Sequence, residues 1–184
     1  MKIVLASASP RRKRLLGRLA RSFSVKPAKI NERLLPGEAF SRACVRLAGK
    51  KAEAVARKKK NSTVIGVDTI AFRGKRIFRK TENEGKARGI LKFISGKAHT
   101  VATGVCVIFP SRKKVAYCER ARVRMKKITP EMMEWYMKSG EWKGRAGSYD
   151  VSDKGARLVA HVKGEKETVI GLPLKKLALI LRKK

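Results

Sequence analysis

Cysteine, histidine, acidic residues and aromatics are all scarce in this 184-residue chain. Cys44, Cys106 and Cys118 are odd in number, far apart and never in a C-x-x-C pair. That argues against a disulfide framework or a cysteine zinc site and leaves reduced, buried thiols as the expectation. His99 and His161 stand alone, so a histidine metal centre or a Ser–His triad has little to build on. Aromatics make up only 6%, and no base-stacking motif or recognition-helix pattern stands out. No apolar run approaches the roughly 20 residues of a membrane span. The apolar stretch at the N-terminus is too short for a signal peptide and is interrupted by arginines. The cytoplasm is the expected compartment.

The shortage of acids has a counterpart. Fourteen Asp and Glu face 47 Lys and Arg, a net charge of +33. A field of that sign draws polyanions and speeds their arrival; it fits nucleotides, nucleic acid or an anionic surface without choosing among them, and a high-salt cytoplasm or biased genome would also favour lysine. The hydrophobic fraction of 43% supports a globular protein. The length suits one domain over residues 1–184, with room for a division into two lobes by a cleft.

The chain is organised around its opening. Lys2-Ile3-Val4 reads as a short strand, followed by Leu5-Ala6-Ser7-Ala8-Ser9-Pro10-Arg11-Arg12 and then Leu15, Leu16 and Leu19 at helical spacing. Ser9 suits an N-cap and Pro10 the first helical position. A helix start with free N–H groups, two hydroxyls and the Arg11/Arg12 pair is a receptor for phosphate oxygens, although the same residues also open ordinary helices. Further on, a strand is expected at 23–27, a helix over 39–57, a buried strand over 63–72 and a hairpin ending at Phe78. A helix over 84–94, strands over 99–109 and 115–125, and a helix after Thr129-Pro130-Glu131 follow. A strand around 158–162 and a last helix opened by Gly171-Leu172-Pro173 complete the chain. Strands and helices are mixed rather than strictly alternating, which favours a mixed α/β sheet over a doubly wound parallel one.

Asp68 is the most informative acid. It lies within an apolar strand, where an unpaired carboxylate would cost several kcal/mol to desolvate, roughly. A cation, backbone donors or a divalent metal must compensate, unless the strand ends there and Asp68 caps a turn. Glu32 sits in a polar loop, the usual place for a solvated acid. Paired with Asp68 it would nevertheless form the small carboxylate set that Mg²⁺ uses together with substrate phosphates. Lys51 and Lys80 are two lysines among many, and on the residues alone both read as solvated surface.

Leu-Ala-Ser-Ala-Ser-Pro-Arg-Arg at residues 5–12 closely resembles the signature of the Maf family of nucleoside triphosphate pyrophosphatases, once called septum formation inhibitors. The resemblance recurs in order over nearly the whole chain. It takes in Glu32, Arg46-Leu47-Ala48 before Lys51-Ala52, Gly66-Val67-Asp68-Thr69, Lys80, Ser95-Gly96 and His99. Thr103-Gly104, Ser139-Gly140-Glu141, Arg145-Ala146-Gly147-Ser148-Tyr149 and Val169-Ile170-Gly171-Leu172-Pro173 continue it. It implies an elongated mixed sheet with flanking helices in two lobes around a cleft, as in the ITPase-like proteins. It further implies hydrolysis of the α–β phosphoanhydride of (d)NTPs to monophosphate and pyrophosphate with Mg²⁺ or Mn²⁺, in the removal of modified or excess nucleotides, by a homodimer. By position, Asp68 would accept the proton of the attacking water and share the metal with Glu32. Ser7, Arg11, Arg12, Lys51 and Lys80 would hold the triphosphate, and Arg11, Thr69 and Ser152 match the positions linked to base choice.

Some positions depart from the pattern. Members acting on dTTP and UTP usually carry glutamine where this chain has Ser152 and lysine where it has Arg145, and the family's usual proline after Lys80 is Thr81 here. Ala146-Gly147-Ser148-Tyr149 is similar to the subgroup preferring 7-methyl-GTP, yet that subgroup usually has a bulkier aromatic residue at the position of Arg11. Arg11 and Thr69 lean toward dTTP/UTP. The alternatives are a 7-methyl-GTP-preferring pyrophosphatase, a basic nucleic-acid-binding protein with vestigial catalytic motifs, and a regulator acting through protein contacts in cell division.

Overall fold

A computed structural model describes residues 2–182. The helices are α1 (Pro10–Gly17), α2 (Phe40–Ala56), α3 (Glu84–Ile94), α4 (Pro130–Lys138), α5 (Lys166–Ile170) and α6 (Leu174–Arg182). The strands are β1 (Ile3–Ala6), β2 (Ser24–Val25), β3 (Thr63–Arg73), β4 (Arg76–Phe78), β5 (Ala98–Ile108), β6 (Lys114–Met125) and β7 (Val159–Lys163). They form one seven-stranded sheet in the order β2-β1-β3-β5-β6-β7, with β4 added to β3. β1 runs parallel to β2 and β3, whereas β4 is antiparallel to β3 and β7 to β6. This is the mixed α/β sheet that the pattern of elements predicts.

Differences from the sequence reading are local. The second strand shrinks to Ser24–Val25, and α1 ends at Gly17, leaving Leu19 just outside it and half-buried. The short helix α5 is not foreseen, because a single turn offers no periodicity to read. Cys44 and Cys106 are buried free thiols, but Cys118 is only half-buried, since it lies where β6 is partly open to solvent.

The chain divides into two compact units, to both of which β3, β5 and β6 supply residues. The first comprises residues 2–69, 102–119 and 171–182 of the described chain. In it α2 packs its small-residue face (Ala48, Ala52, Val55) on Val4, Ala6, Val64 and Cys106 of the strands. Contact is close because of Gly66: a Cβ there would lie 2.1 Å from the Ala48 carbonyl oxygen and 2.6 Å from the Ala52 nitrogen. In α1, Ser9 caps by accepting from the Arg12 N–H and Pro10 occupies the first turn. The second unit holds residues 70–101 and 120–170. Its core joins Phe78, Leu91, Ile94, Val123, Tyr136 and Leu158.

Candidate active site

Two clusters in the first unit meet on Val67-Asp68-Thr69 of β3. The first is built around Lys51. One face of α2 is apolar and rests on the sheet, so the lysine is carried inward with it and is only 7% exposed. Its ammonium donates to Asp68 Oδ1 at 2.6 Å and pairs with Glu32 Oε1 at 2.8 Å. Asp68 is buried, while Glu32 keeps 58% of its side chain open to solvent. The two acids, 36 positions apart in sequence, thus share one cation, with one oxygen dry and the other wet. Surface solvation, the expectation for Lys51 on residue type alone, is overturned, because Asp68 supplies the counter-charge that makes burial affordable.

The loop carrying Glu32 is tethered. Arg46 on α2 donates from Nε and NH2 to the two carboxylate oxygens of Glu38 at 2.8 and 2.7 Å, and NH2 also reaches the Arg33 carbonyl at 3.2 Å. The Arg46 hydrogen bonds hold the Glu38 carboxyl below its usual range. Sequence reasoning gives Arg46 and Glu38 no role: their pairing crosses a loop and leaves no periodic trace.

The second cluster is built around Arg12, buried at 8% exposure. Its Nε donates to the Gly171 carbonyl at 2.9 Å, NH1 to Ser7 Oγ at 3.0 Å and to the Val67 carbonyl at 3.2 Å, and NH2 to Thr69 Oγ1 at 2.8 Å. Burial lowers the pKa of this guanidinium, opposed by the nearby Asp68 carboxylate; it stays charged at neutral pH. Thr69 Oγ1 also shares a hydrogen bond of 3.0 Å with Thr103 Oγ1. The corner needs glycine at position 171, where φ is +116° and a Cβ would lie 3.1 Å from Thr69 Oγ1 and 3.2 Å from Arg12 Nε. Ser7 Oγ accepts from Arg12 and from the Ser9 N–H at 3.3 Å, which leaves its own proton to donate. Arg11, next to it in the first turn of α1, is half-buried.

Of the residues singled out from sequence, Ser7, Arg12 and Thr69 are therefore joined in one cluster, and Glu32, Lys51 and Asp68 in the other. Lys80 and Ser152 belong to the second unit, and both are exposed. The Ser152 amide and hydroxyl both donate to Asp150 Oδ1, at 3.1 and 2.6 Å, and the other oxygen of Asp150 binds Arg145.

Two carboxylates converging on one point suit a hard cation that takes oxygen ligands from protein and substrate together. Among the described residues no group of three His, Cys, Asp or Glu side chains gathers anywhere, so phosphate oxygens or water would complete the set. No described helix is long and apolar enough to cross a membrane.

Comparison with solved structures defines the class. The fold is shared with the Ham1 protein of Staphylococcus aureus (TM-score 0.56, 14% identity, 99% of this chain and 98% of that one). It is shared as well with a HAM1 protein of Coxiella burnetii (TM-score 0.54, 12% identity, all of both chains). This is a mixed α/β protein of the Ham1 fold.

The chain belongs to the Maf family: the family profile described as Maf-like protein matches residues 2–184. It is 41% identical over 182 residues to the dTTP/UTP pyrophosphatase of Aquifex aeolicus, covering 99% of this chain and 95% of that protein. It is 35% identical over 173 residues to the dTTP/UTP pyrophosphatase of Pyrococcus furiosus, covering 94% and 90%.

Proposed function

We propose that this protein hydrolyses the α–β phosphoanhydride of nucleoside triphosphates, releasing the monophosphate and pyrophosphate, with dTTP and UTP as substrates. The observation that carries the reading is the convergence of Glu32 and Asp68 on Lys51, beside the cationic corner at Arg12. The relatives named dTTP/UTP pyrophosphatase support the substrate class.

Water adds to one phosphorus of the α–β bridge, the bond to the bridging oxygen breaks, and the proton of the water passes to Asp68. Asp68 suits this task because it is a buried carboxylate held in place by the hydrogen bond from Lys51. Glu32 and Asp68 would hold a divalent cation, Mg²⁺ or Mn²⁺, which neutralises charge on the phosphate oxygens. Ser7, Arg11, Lys51 and Lys80 donate to the polyphosphate. Most of the hydrogen-bonding capacity of Arg12 goes to protein acceptors, so its part is chiefly to hold Ser7 and Thr69 in place, with one N–H left for phosphate. Base choice is assigned to Arg11, Thr69 and Ser152. The reading also includes action as a homodimer within the cytoplasm, removing modified or excess nucleotides, and one domain over residues 1–184.

Purified protein with Mg²⁺ and a panel containing dTTP, UTP and 7-methyl-GTP should release pyrophosphate as first product, fastest from the pyrimidine nucleotides. Asp68→Asn should slow turnover by about 10²–10⁴-fold, the span of general-base catalysis. Orthophosphate as first product, or a fully active Asp68→Asn protein, would overturn the reading. Preference for 7-methyl-GTP would overturn the substrate assignment alone.

A further inference from the structure

A second cationic site lies wholly within the second unit. A cavity of about 620 Å³ is lined by Phe72, Arg73, Lys97, Thr100, Arg122 and Arg124, and no acidic side chain borders it. Its size falls within the range of ligand pockets. Its basic wall follows from sequence. In β6 the run Arg120-Ala121-Arg122-Val123-Arg124-Met125 alternates, so Ala121, Val123 and Met125 are buried and the three arginines face solvent. On β7, Lys163 is paired opposite Arg122 and His161 opposite Arg124, both exposed.

Like charges facing one another across a strand pair, as Arg122 and Lys163 do, are destabilising, and little offsets them. Among the described residues no carboxylate pairs with Arg73, Lys97, Arg122 or Arg124. Arg73 and Lys97 instead lie over the Phe93 ring, 5.7 and 5.3 Å from its centroid. That contact holds the two charged heads against an aromatic face without neutralising them, so both still attract an anion.

We infer that this cavity and the β6–β7 face beside it bind the phosphodiester backbone of single-stranded nucleic acid. Alternate residues on β6 are about 6.6 Å apart, a spacing that an extended strand matches with successive phosphates. Phe72, half-buried among the cations, supplies a ring on which a base can stack. The exposed row of Arg120, Arg122 and Arg124 along β6 suits a chain of phosphates rather than one compact anion. The inference is independent of the hydrolytic reading, since none of these residues belongs to the clusters on β3.

The test is fluorescence anisotropy of the full chain with a labelled 12-nucleotide RNA bearing a 5′-hydroxyl, which offers no triphosphate to the hydrolytic site, and with the matching duplex. The single strand should bind more tightly than the duplex. Arg122→Ser/Arg124→Ser should weaken it at least tenfold and reduce the slope of log K against log salt by about 1.4, the share of two cations on a single strand. Lys58→Ser/Lys59→Ser removes the same charge from the exposed turn just past α2 and should change affinity less than twofold. Phe72→Leu should weaken binding and Phe72→Tyr should retain it. If the arginine variant does not fold, cross-linking of 4-thiouridine RNA to the wild-type chain still decides, with adducts expected on peptides spanning 96–100 and 120–125. Equal losses in the two charge pairs, tighter duplex binding, or adducts elsewhere would overturn the inference. So would a dimer that Arg122→Ser/Arg124→Ser converts to monomer, because the face would then be occupied by a second copy.

Discussion

Lys51 joins the two acids of the site. Its ammonium pairs with both Glu32 and Asp68, so its removal takes from the buried Asp68 carboxylate its cationic partner. Breaking such a pair costs about 3–5 kcal/mol. Lys51→Met should therefore lose about 3 kcal/mol in urea unfolding, and adding Asp68→Asn should restore part of it, because a neutral amide needs no counter-charge. Additive losses would show that the two side chains do not interact. A second residue sets a pH limit. His99 is buried beside Tyr149, its Nε2 2.7 Å from the hydroxyl, with the Phe78 ring packed edge-on, and burial lowers its pKa from 6.5 to about 4. The unfolded chain thus binds a proton that the folded protein refuses. Stability is full above pH 6.5 and is lost as pH falls toward 4, with about 2 kcal/mol gone between pH 7 and 5. Urea titrations at the two pH values should show that drop, and His99→Phe should flatten it while lowering stability at pH 7 through the stranded Tyr149 hydroxyl.

At the scale of elements, the site depends on how closely α2 approaches β3. Gly66 lets the helix backbone down onto the strand, two residues before Asp68 and opposite the turn that carries Lys51. A methyl group at 2.1 Å from a backbone oxygen cannot be absorbed by side-chain movement, so the helix must shift. Gly66→Ala should cost about 3 kcal/mol or more in urea unfolding and should weaken turnover beyond what stability explains, because Lys51 and Asp68 move apart together. Unchanged stability would mean that the interface yields more readily than its packing indicates. The elements themselves were legible in order. Ser9-Pro10 opens α1, Thr129-Pro130 opens α4, and Gly74 turns β3 into β4. Those signals are local: a capping oxygen, a fixed φ or a positive φ acts within a few residues. α5 and the shortened β2 escape because one turn and two residues carry too little pattern.

For the molecule as a whole, +33 charges on 184 residues repel one another in the compact state. Added salt screens that repulsion, so the melting temperature should rise between 0.05 and 0.5 M sodium chloride, by about 3 °C for each kcal/mol regained. A flat or falling melting temperature would show that the cations are already well separated or paired. Pairs at least partly open to solvent oppose the effect: among the described residues Arg88 bridges Glu84 and Glu134, Lys114 meets Glu53, and Lys176 meets Glu119. Pairs of that kind contribute little each.

The sequence by itself determined the longer helices and strands, the mixed α/β class and the family, because periodicity, caps and ordered motifs are written along the chain. It also marked Asp68 as a carboxylate that needed a partner. Only the tertiary structure decided which partner. Lys51 looked like one more solvated lysine until α2 carried it against β3, and Arg12 looked like a free phosphate ligand until Gly171, 159 positions away, took one of its N–H groups. Charge needs a counter-charge within a few ångströms, and that distance is set by strand register and helix packing rather than by neighbours along the chain.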